Sequence, residues 1–194
     1  MGVPRQQLHG SAPDRSRKVL LLVDVINDLE FEGAEDLLPF ATVAARRIAA
    51  LATRARRAGI AVVYANDNFG QWRSDFAATV RHCSRRGARG AEISRLLAPK
   101  RNDYFVLKPR HSAFYASALD VLLEALGARR LFICGFAGDI CILFTAHDAY
   151  MRGYAVSVPA DCTASESALR NREALDVMAR AAKVDVASSA KARF

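Results

Sequence analysis

The chain alternates short apolar runs with longer stretches of helical spacing. Val19-Leu-Leu-Leu-Val23 is a continuous apolar run that stops at Asp24. Ile60-Ala-Val-Val-Tyr64, Tyr104-Phe-Val-Leu107, Leu131-Phe-Ile-Cys134 and Tyr154-Ala-Val-Ser-Val158 repeat the pattern, and Val184-Asp-Val186 is a shorter sixth run. Runs this short and this rich in β-branched residues predict strands buried on both faces. Helical patterns lie between them. Residues 40–58 set Val43, Ile48 and Leu51 among Ala and Arg and stop at Gly59. Residues 115–126 carry Leu119, Leu122, Leu123 and Leu126 and stop at Gly127, the usual left-handed terminator. Residues 140–151 close at Gly153, and 168–182 predict a last, Ala-rich helix. Residues 73–99 predict one or two short helices around an Arg- and Gly-rich loop, Arg85 to Gly90.

This alternation predicts an α/β fold. The default is a doubly wound, mostly parallel six-stranded sheet with helices on both faces and right-handed crossovers. No internal repeat and no second domain is visible. Residues 1–17 hold Pro, Gly, Ser, Gln and Arg without periodicity and predict a flexible basic tail, which leaves 18–194 as one domain.

A length of 194 residues suffices for one full core. The net charge of +8 raises a polyanion as a partner. The motifs argue otherwise. No G-x-G-x-x-G follows the first run and no Walker loop is present, so no nucleotide cofactor is expected. The clusters Arg54, Arg56, Arg57 and Arg81, Arg85, Arg86, Arg89 lack interleaved aromatics for stacking on single strands, so they read as solvated faces and no nucleic acid is expected. No apolar run approaches ~18 residues, and Met1 to Lys18 has no apolar leader core, so a cytoplasmic location without membrane contact is expected. Cys83, Cys134, Cys141 and Cys162 form no C-x-x-C pair and read as free thiols.

In an open parallel sheet, ligands bind beyond the carboxyl ends of the strands. Asp24 follows the first run, Lys108 follows the third, and Cys141 lies in the turn after the fourth. A carboxylate, an ammonium and a thiol on one edge are the minimum for nucleophilic acyl transfer. Each also has a plain structural reading. Asp24 could anchor the turn that holds Asn27 and Asp28, Lys108 could be a surface lysine, and Cys141 could be core. Lys108 stands out, however, because only five of 28 cationic residues are Lys. Gly135-Phe-Ala-Gly-Asp139 places Cys141 at a strand-to-helix turn, where backbone N–H groups favour a thiolate and could hold an oxyanion.

Three segments carry a family resemblance: Leu21-Leu-Val-Asp-Val-Ile-Asn-Asp28, Val106-Leu-Lys-Pro-Arg-His-Ser-Ala-Phe114 and Cys134-Gly-Phe-Ala-Gly-Asp-Ile-Cys141. They resemble the signature segments of the isochorismatase-like cysteine hydrolases, and the likeness continues through Thr145–Ala149, Arg152–Tyr154 and Ala160–Ser165. That family includes nicotinamidases, N-carbamoylsarcosine amidases, ureidoacrylate and biuret amidohydrolases, and isochorismatase. The resemblance implies a three-layer α/β/α domain without a cofactor. Cys141 would attack a carboxamide or carbamoyl carbon, Asp24 would take the thiol proton and pass it to the leaving amine, and Lys108 would hold the pair. Water would hydrolyse the acyl-thioester. It also implies a cis peptide at Phe136–Ala137, oxyanion donors at the N–H groups of Ala137 and Cys141, and a homodimer or homotetramer.

Two departures bear on the substrate, a small molecule. The nicotinamidase branch has an Asp/His metal cluster after the second strand. Here Asp67 has no His after it until His82, so no metal is expected. Gly138 stands where many relatives have Thr, which leaves either a mobile loop or room for a substrate group. Phe31, Phe69, Trp72, Phe114, Phe136 and Ile140 are candidate pocket walls or ordinary core. The rival readings are a non-catalytic α/β binding module and a thiol redox sensor built on Cys141.

Overall fold

A computed structural model of the chain describes residues 15–70, 73 and 75–194. Its strands are β1 (Lys18–Val23), β2 (Ala61–Asp67), β3 (Tyr104–Lys108), β4 (Arg130–Phe136), β5 (Ala155–Ser157) and β6 (Thr163–Ala164). Its helices are α1 (Ala34–Arg57), α2 (Phe76–Cys83), α3 (Ala91–Leu96), α4 (Leu119–Leu126), α5 (Leu143–Met151) and α6 (Ala168–Ala182). The strands form one parallel sheet in the order β3-β2-β1-β4-β5, with β6 beside the carboxyl end of β4.

β1 shows why the apolar runs are continuous. Alternate strand residues point to opposite faces. Val19, Leu21 and Val23 enter one core, with Leu131 and Ile133 of β4 and the apolar sides of α4, α5 and α6. Leu20 and Leu22 enter the other, with Phe132 and Cys134 of β4 and α1, Phe76 of α2 and Ile93 of α3. Two helical layers therefore cover one central sheet, and the strand that both layers cover can carry no polar face.

Several expectations need correction. The sixth strand is not Val184–Val186. That segment makes only an isolated bridge, Ser157 to Asp185, while Thr163–Ala164 pairs with Gly135 and Phe136. β3 is an edge strand, so it is not buried on both faces: Phe105 is exposed and stacks on Phe76. α1 begins at Ala34, six residues before the expected start, and carries Pro39 within it. Of the basic tail, residues 1–14 lie outside the described residues. Ser16 already belongs to the fold, since its N–H donates to Leu126 O at 2.8 Å and its Oγ accepts from Ala61 N at 3.0 Å.

Arginine is used as a clamp between elements rather than as a uniformly solvated face. Arg56 Nη2 pairs with Asp103 at 2.7 Å, and Arg54 donates to the carbonyls of Ser189 and Ala192 near the C-terminus. No helix of the described residues is long and apolar enough to cross a membrane.

Candidate active site

The carboxyl edge of the sheet is shaped by close backbone approach. Gly135 pairs with Val23 across β1 and β4 at φ 142, and a Cβ there would lie 1.9 Å from Val23 O. Only glycine lets the two strands keep this contact as the chain turns toward Cys141. Beyond β1, Asp24 is held left-handed at φ 54, a region Asp tolerates better than most residues. The loop that follows is tied down by Asn66 of β2. Its wholly buried side chain accepts from Ile26 N at 3.2 Å and donates to Ile26 O at 2.7 Å, a side-chain imitation of a strand pair.

Asp24, Lys108 and Cys141 are brought together. Lys108 Nζ lies 2.8 Å from Asp24 Oδ2 and 3.8 Å from Cys141 Sγ, and it donates to Arg110 O at 3.0 Å. Asp24 Oδ1 accepts from Asp67 N at 2.9 Å. Lys108 is 0% exposed, Asp24 6% and Cys141 8%. A wholly buried ammonium is stable only when paired, and here it is paired. Burial works against its charge, but the neighbouring carboxylates, Asp24 above all, outweigh burial and hold its pKa above the ordinary value.

The thiol differs from expectation. The turn that holds it is a five-residue π turn, Gly138–Ile142, followed directly by α5. Burial first, and then the Asp24 carboxylate, push the Cys141 thiol well up, and the opposing pull of Lys108 is weaker. Both effects favour a neutral thiol at rest over the thiolate expected at a helix terminus.

The expected cis bond at Phe136–Ala137 is also corrected: none of the described peptides is cis. The reversal is made instead by dihedral angles, with Gly135 at φ 142 and Ala137 left-handed at φ 52 and ψ 62. The carbonyl of Ala137 accepts from both Ile140 and Ile142, which closes the π turn.

Gly138 is neither a source of mobility nor room for substrate. A Cβ there would lie 2.2 Å from Asn171 Oδ1 and 3.0 Å from Ser165 Oγ, so two side chains already occupy the space. Ser165 Oγ accepts from Asp139 N at 3.1 Å, Asn171 donates to Thr163 Oγ1 at 3.2 Å, and Arg170 pairs with Asp139 at 3.2 Å. The start of α6 thus braces the turn that holds Cys141.

The candidate walls divide. Phe31 and Phe69 stand on loops at this edge and are 43% and 42% exposed. Ile140 is half-buried beside Cys141. Phe114 and Phe136 are core instead: Phe114 stacks on Tyr154 under the Arg152 guanidinium, and Phe136 is packed in the core on the opposite face of the sheet. Trp72 lies outside the described residues. Asp67 faces Lys108 Nζ at 3.8 Å and accepts from Phe69 N at 2.6 Å. Among the described residues, no group of three or more His, Cys, Asp or Glu is placed to hold a metal ion.

One neighbour of the thiol, and the ring it rests on, are not singled out by the sequence. His111 Nδ1 lies 4.0 Å from Cys141 Sγ, and its ring stacks on Phe144 with centroids 6.0 Å apart. Phe144 is three residues past Cys141, the spacing that shares a helix face, which was the available signal. A cavity of about 570 Å³ opens at the opposite edge of the sheet, against Arg56, Gly59, Lys100, Asp103 and Tyr104, away from these groups.

The chain as a whole is similar to known proteins. The isochorismatase domain model matches residues 18–191. The isochorismatase family protein YaaI of Bacillus subtilis (strain 168) is 42% identical over 164 residues, which is 84% of this chain and 90% of that protein. Ureidoacrylate amidohydrolase RutB of Methylorubrum extorquens is 31% identical over 192 residues, covering 82% of this chain and 77% of its own length. Among solved structures, N-carbamoylsarcosine amidase from Thermoplasma acidophilum superposes with a TM-score of 0.72 at 26% identity, over 92% of this chain and 99% of that one. The Staphylococcus aureus nicotinamidase SaPncA shares the fold, with a TM-score of 0.67 at 21% identity over 89% and 98% of the two chains.

Proposed function

The chain belongs to the isochorismatase family, and from that premise we propose that it is a cysteine hydrolase of a small-molecule C–N bond, amide or carbamoyl in type. The observation that carries the proposal is the wholly buried Lys108 ammonium, 2.8 Å from Asp24 and 3.8 Å from Cys141. Relatives named for amidohydrolase activity support the bond class.

On this reading each of the three groups has its own step. The Cys141 thiol gives its proton to Asp24 as sulfur attacks the carbonyl carbon, so a neutral nucleophile becomes reactive only in contact with substrate. Lys108 stabilises the negative charge that moves between carboxylate and sulfur. The N–H groups of Ala137 and Cys141 receive the carbonyl oxygen as it becomes an oxyanion. Asp24 then protonates the departing amine, and the C–N bond breaks to leave an acyl-thioester on Cys141. Phe31, Phe69 and Ile140 flank the entrance.

The redox-sensor reading is weaker on two observations. A sensor needs an accessible thiolate, whereas Cys141 is buried and held as a thiol. The other cysteines, Cys83, Cys134 and Cys162, pack in the core across the sheet, where none can resolve a Cys141 sulfenate.

Ammonia or amine release from a panel of carboxamides and ureido compounds tests the proposal. Turnover by the wild type should fall by about 10³-fold or more in both Cys141→Ala and Asp24→Asn. Activity that survives in Cys141→Ala refutes it.

A further inference from the structure

His111 stands on a pinned backbone with a free ring. The segment after β3 is fixed at Arg110 by the Lys108 ammonium at 3.0 Å, at Ser112 by Asp148, and at Ala113 by Thr145 Oγ1 at 3.0 Å. The imidazole between these anchors is exposed, rests against Phe144, and directs Nδ1 to within 4.0 Å of Cys141 Sγ. Solvent therefore reaches the sulfur's neighbour on this side, whereas Lys108 is wholly buried and Asp24 nearly so.

The acyl-enzyme stage creates a need on the solvent side of the sulfur, where His111 stands. Hydrolysis of the thioester requires a base that meets incoming water, then an acid that returns a proton to the departing sulfur. His111 meets both conditions.

We propose that His111 is the proton-transfer residue of deacylation, while Asp24 serves acylation. This rests on the cysteine-hydrolase reading above. In the step, water loses a proton to neutral His111 Nδ1 as its oxygen bonds to the thioester carbon. The C–S bond then breaks with its electron pair on sulfur, and the imidazolium returns the proton to Cys141. The acid product leaves, its own proton going to solvent. Nothing is oxidised or reduced, and thiol and imidazole end as they began.

The probe is 4-nitrophenyl acetate, whose leaving group acylates reactive thiols without help. The wild type should release nitrophenolate steadily and form an acetyl adduct confined to Cys141, absent in Cys141→Ala. Lack of any Cys141-dependent nitrophenolate release by the wild type would refute the hydrolase reading itself, whatever His111 does. With that adduct in hand, His111→Gln should give a burst equal to the number of sites. The acetyl-enzyme should then persist after gel filtration and decay about 10²-fold more slowly, a typical contribution of general acid–base catalysis. His111→Ala should behave alike and regain deacylation when imidazole is added, which a structural defect would not do. Decay within roughly threefold of the wild type, equal slowing of adduct formation and decay, or no rescue by imidazole would each overturn the proposal.

Discussion

Replacing Lys108 by Met tests whether the ion pair at the centre of the site is a coupled unit. Lys108 and Met have similar length, so packing is nearly conserved while the charge is deleted. At 2.8 Å from Asp24 Oδ2, the attraction is about 6 kcal/mol at an effective dielectric near 20. Dehydration of two buried ions cancels much of that, so the pair's net contribution is small, yet breaking it by removing one partner costs about 3–5 kcal/mol. Lys108→Met strands a buried carboxylate, and Asp24→Asn strands a buried ammonium. The double variant strands neither, and should be no less stable than either single one. Urea unfolding of the four proteins gives the coupling energy, expected at about 2 kcal/mol or more. The slope of each transition must stay constant for the comparison to hold. If the two single losses add to within about 0.5 kcal/mol, the groups do not act as a pair and the argument fails. pH adds a second check. Because the Lys108 pKa is raised above its ordinary 10.5, its stabilisation is complete below that pH and is lost as pH climbs through the folded value. The gap between wild type and Lys108→Met should narrow there.

Iodoacetamide should modify native Cys141 slowly near neutrality and ever faster with rising pH, because burial and Asp24 hold the thiol above its ordinary 9.0; a rate plateau below about pH 8 would contradict the neutral-thiol assignment. The same shift means the folded state binds this proton more tightly than the unfolded chain, so stability falls as pH rises above 9.0, and Cys141→Ala should flatten that fall in a thermal-melt series. Gly138→Ala should cost about 1–3 kcal/mol by forcing its Cβ onto Asn171 Oδ1, and addition of Asn171→Ala should recover part of the loss; strictly additive losses in urea would show that Asn171 does not fill this space.

The central strands were legible because β1 and β4 are buried on both faces, a condition that writes itself as an unbroken apolar run. Asp24, Lys108 and Cys141 were legible because each follows such a run, and the sheet's topology places run ends on one edge. What sequence missed depends on contacts far along the chain. Asn171 fills the notch at Gly138 from α6, and nothing local to either residue signals the other. β6 has two residues, too few to show any period, so Val184–Val186 was read in its place. Phe105 is as apolar as a central-strand residue, but β3 lies at an edge that only the strand order reveals. The protonation of Cys141 was misread for a related reason. The local turn suggested a thiolate, while burial and the carboxylate of another strand decide the outcome. Phe114 and Phe136 show the same limit, since an aromatic residue beside a motif looks alike whether it lines a pocket or packs beneath it.

Lys108 explains why a chain that otherwise relies on Arg uses Lys here. The strand order β3-β2-β1-β4 delivers Lys108, Asp67, Asp24 and Cys141 in sequence across the edge. The cation must reach past Asp67 on β2 to meet Asp24 just beyond the end of β1, at neighbouring-strand spacings of about 4.8 Å. It must then face several directions at one point: Asp24 at 2.8 Å, Arg110 O at 3.0 Å, and Cys141 and Asp67 each at 3.8 Å. A tetrahedral ammonium can aim its three protons into such a set, whereas a guanidinium is a flat fork suited to one planar partner. It is also larger, and Lys108 has no exposed surface through which the excess could escape. Lys108→Arg should therefore keep the charge and still lose activity nearly as completely as Lys108→Met. Turnover of an established amide substrate by Lys108→Arg at more than about a tenth of the wild-type rate would show that charge alone, and not the direction of its protons, is what the site requires.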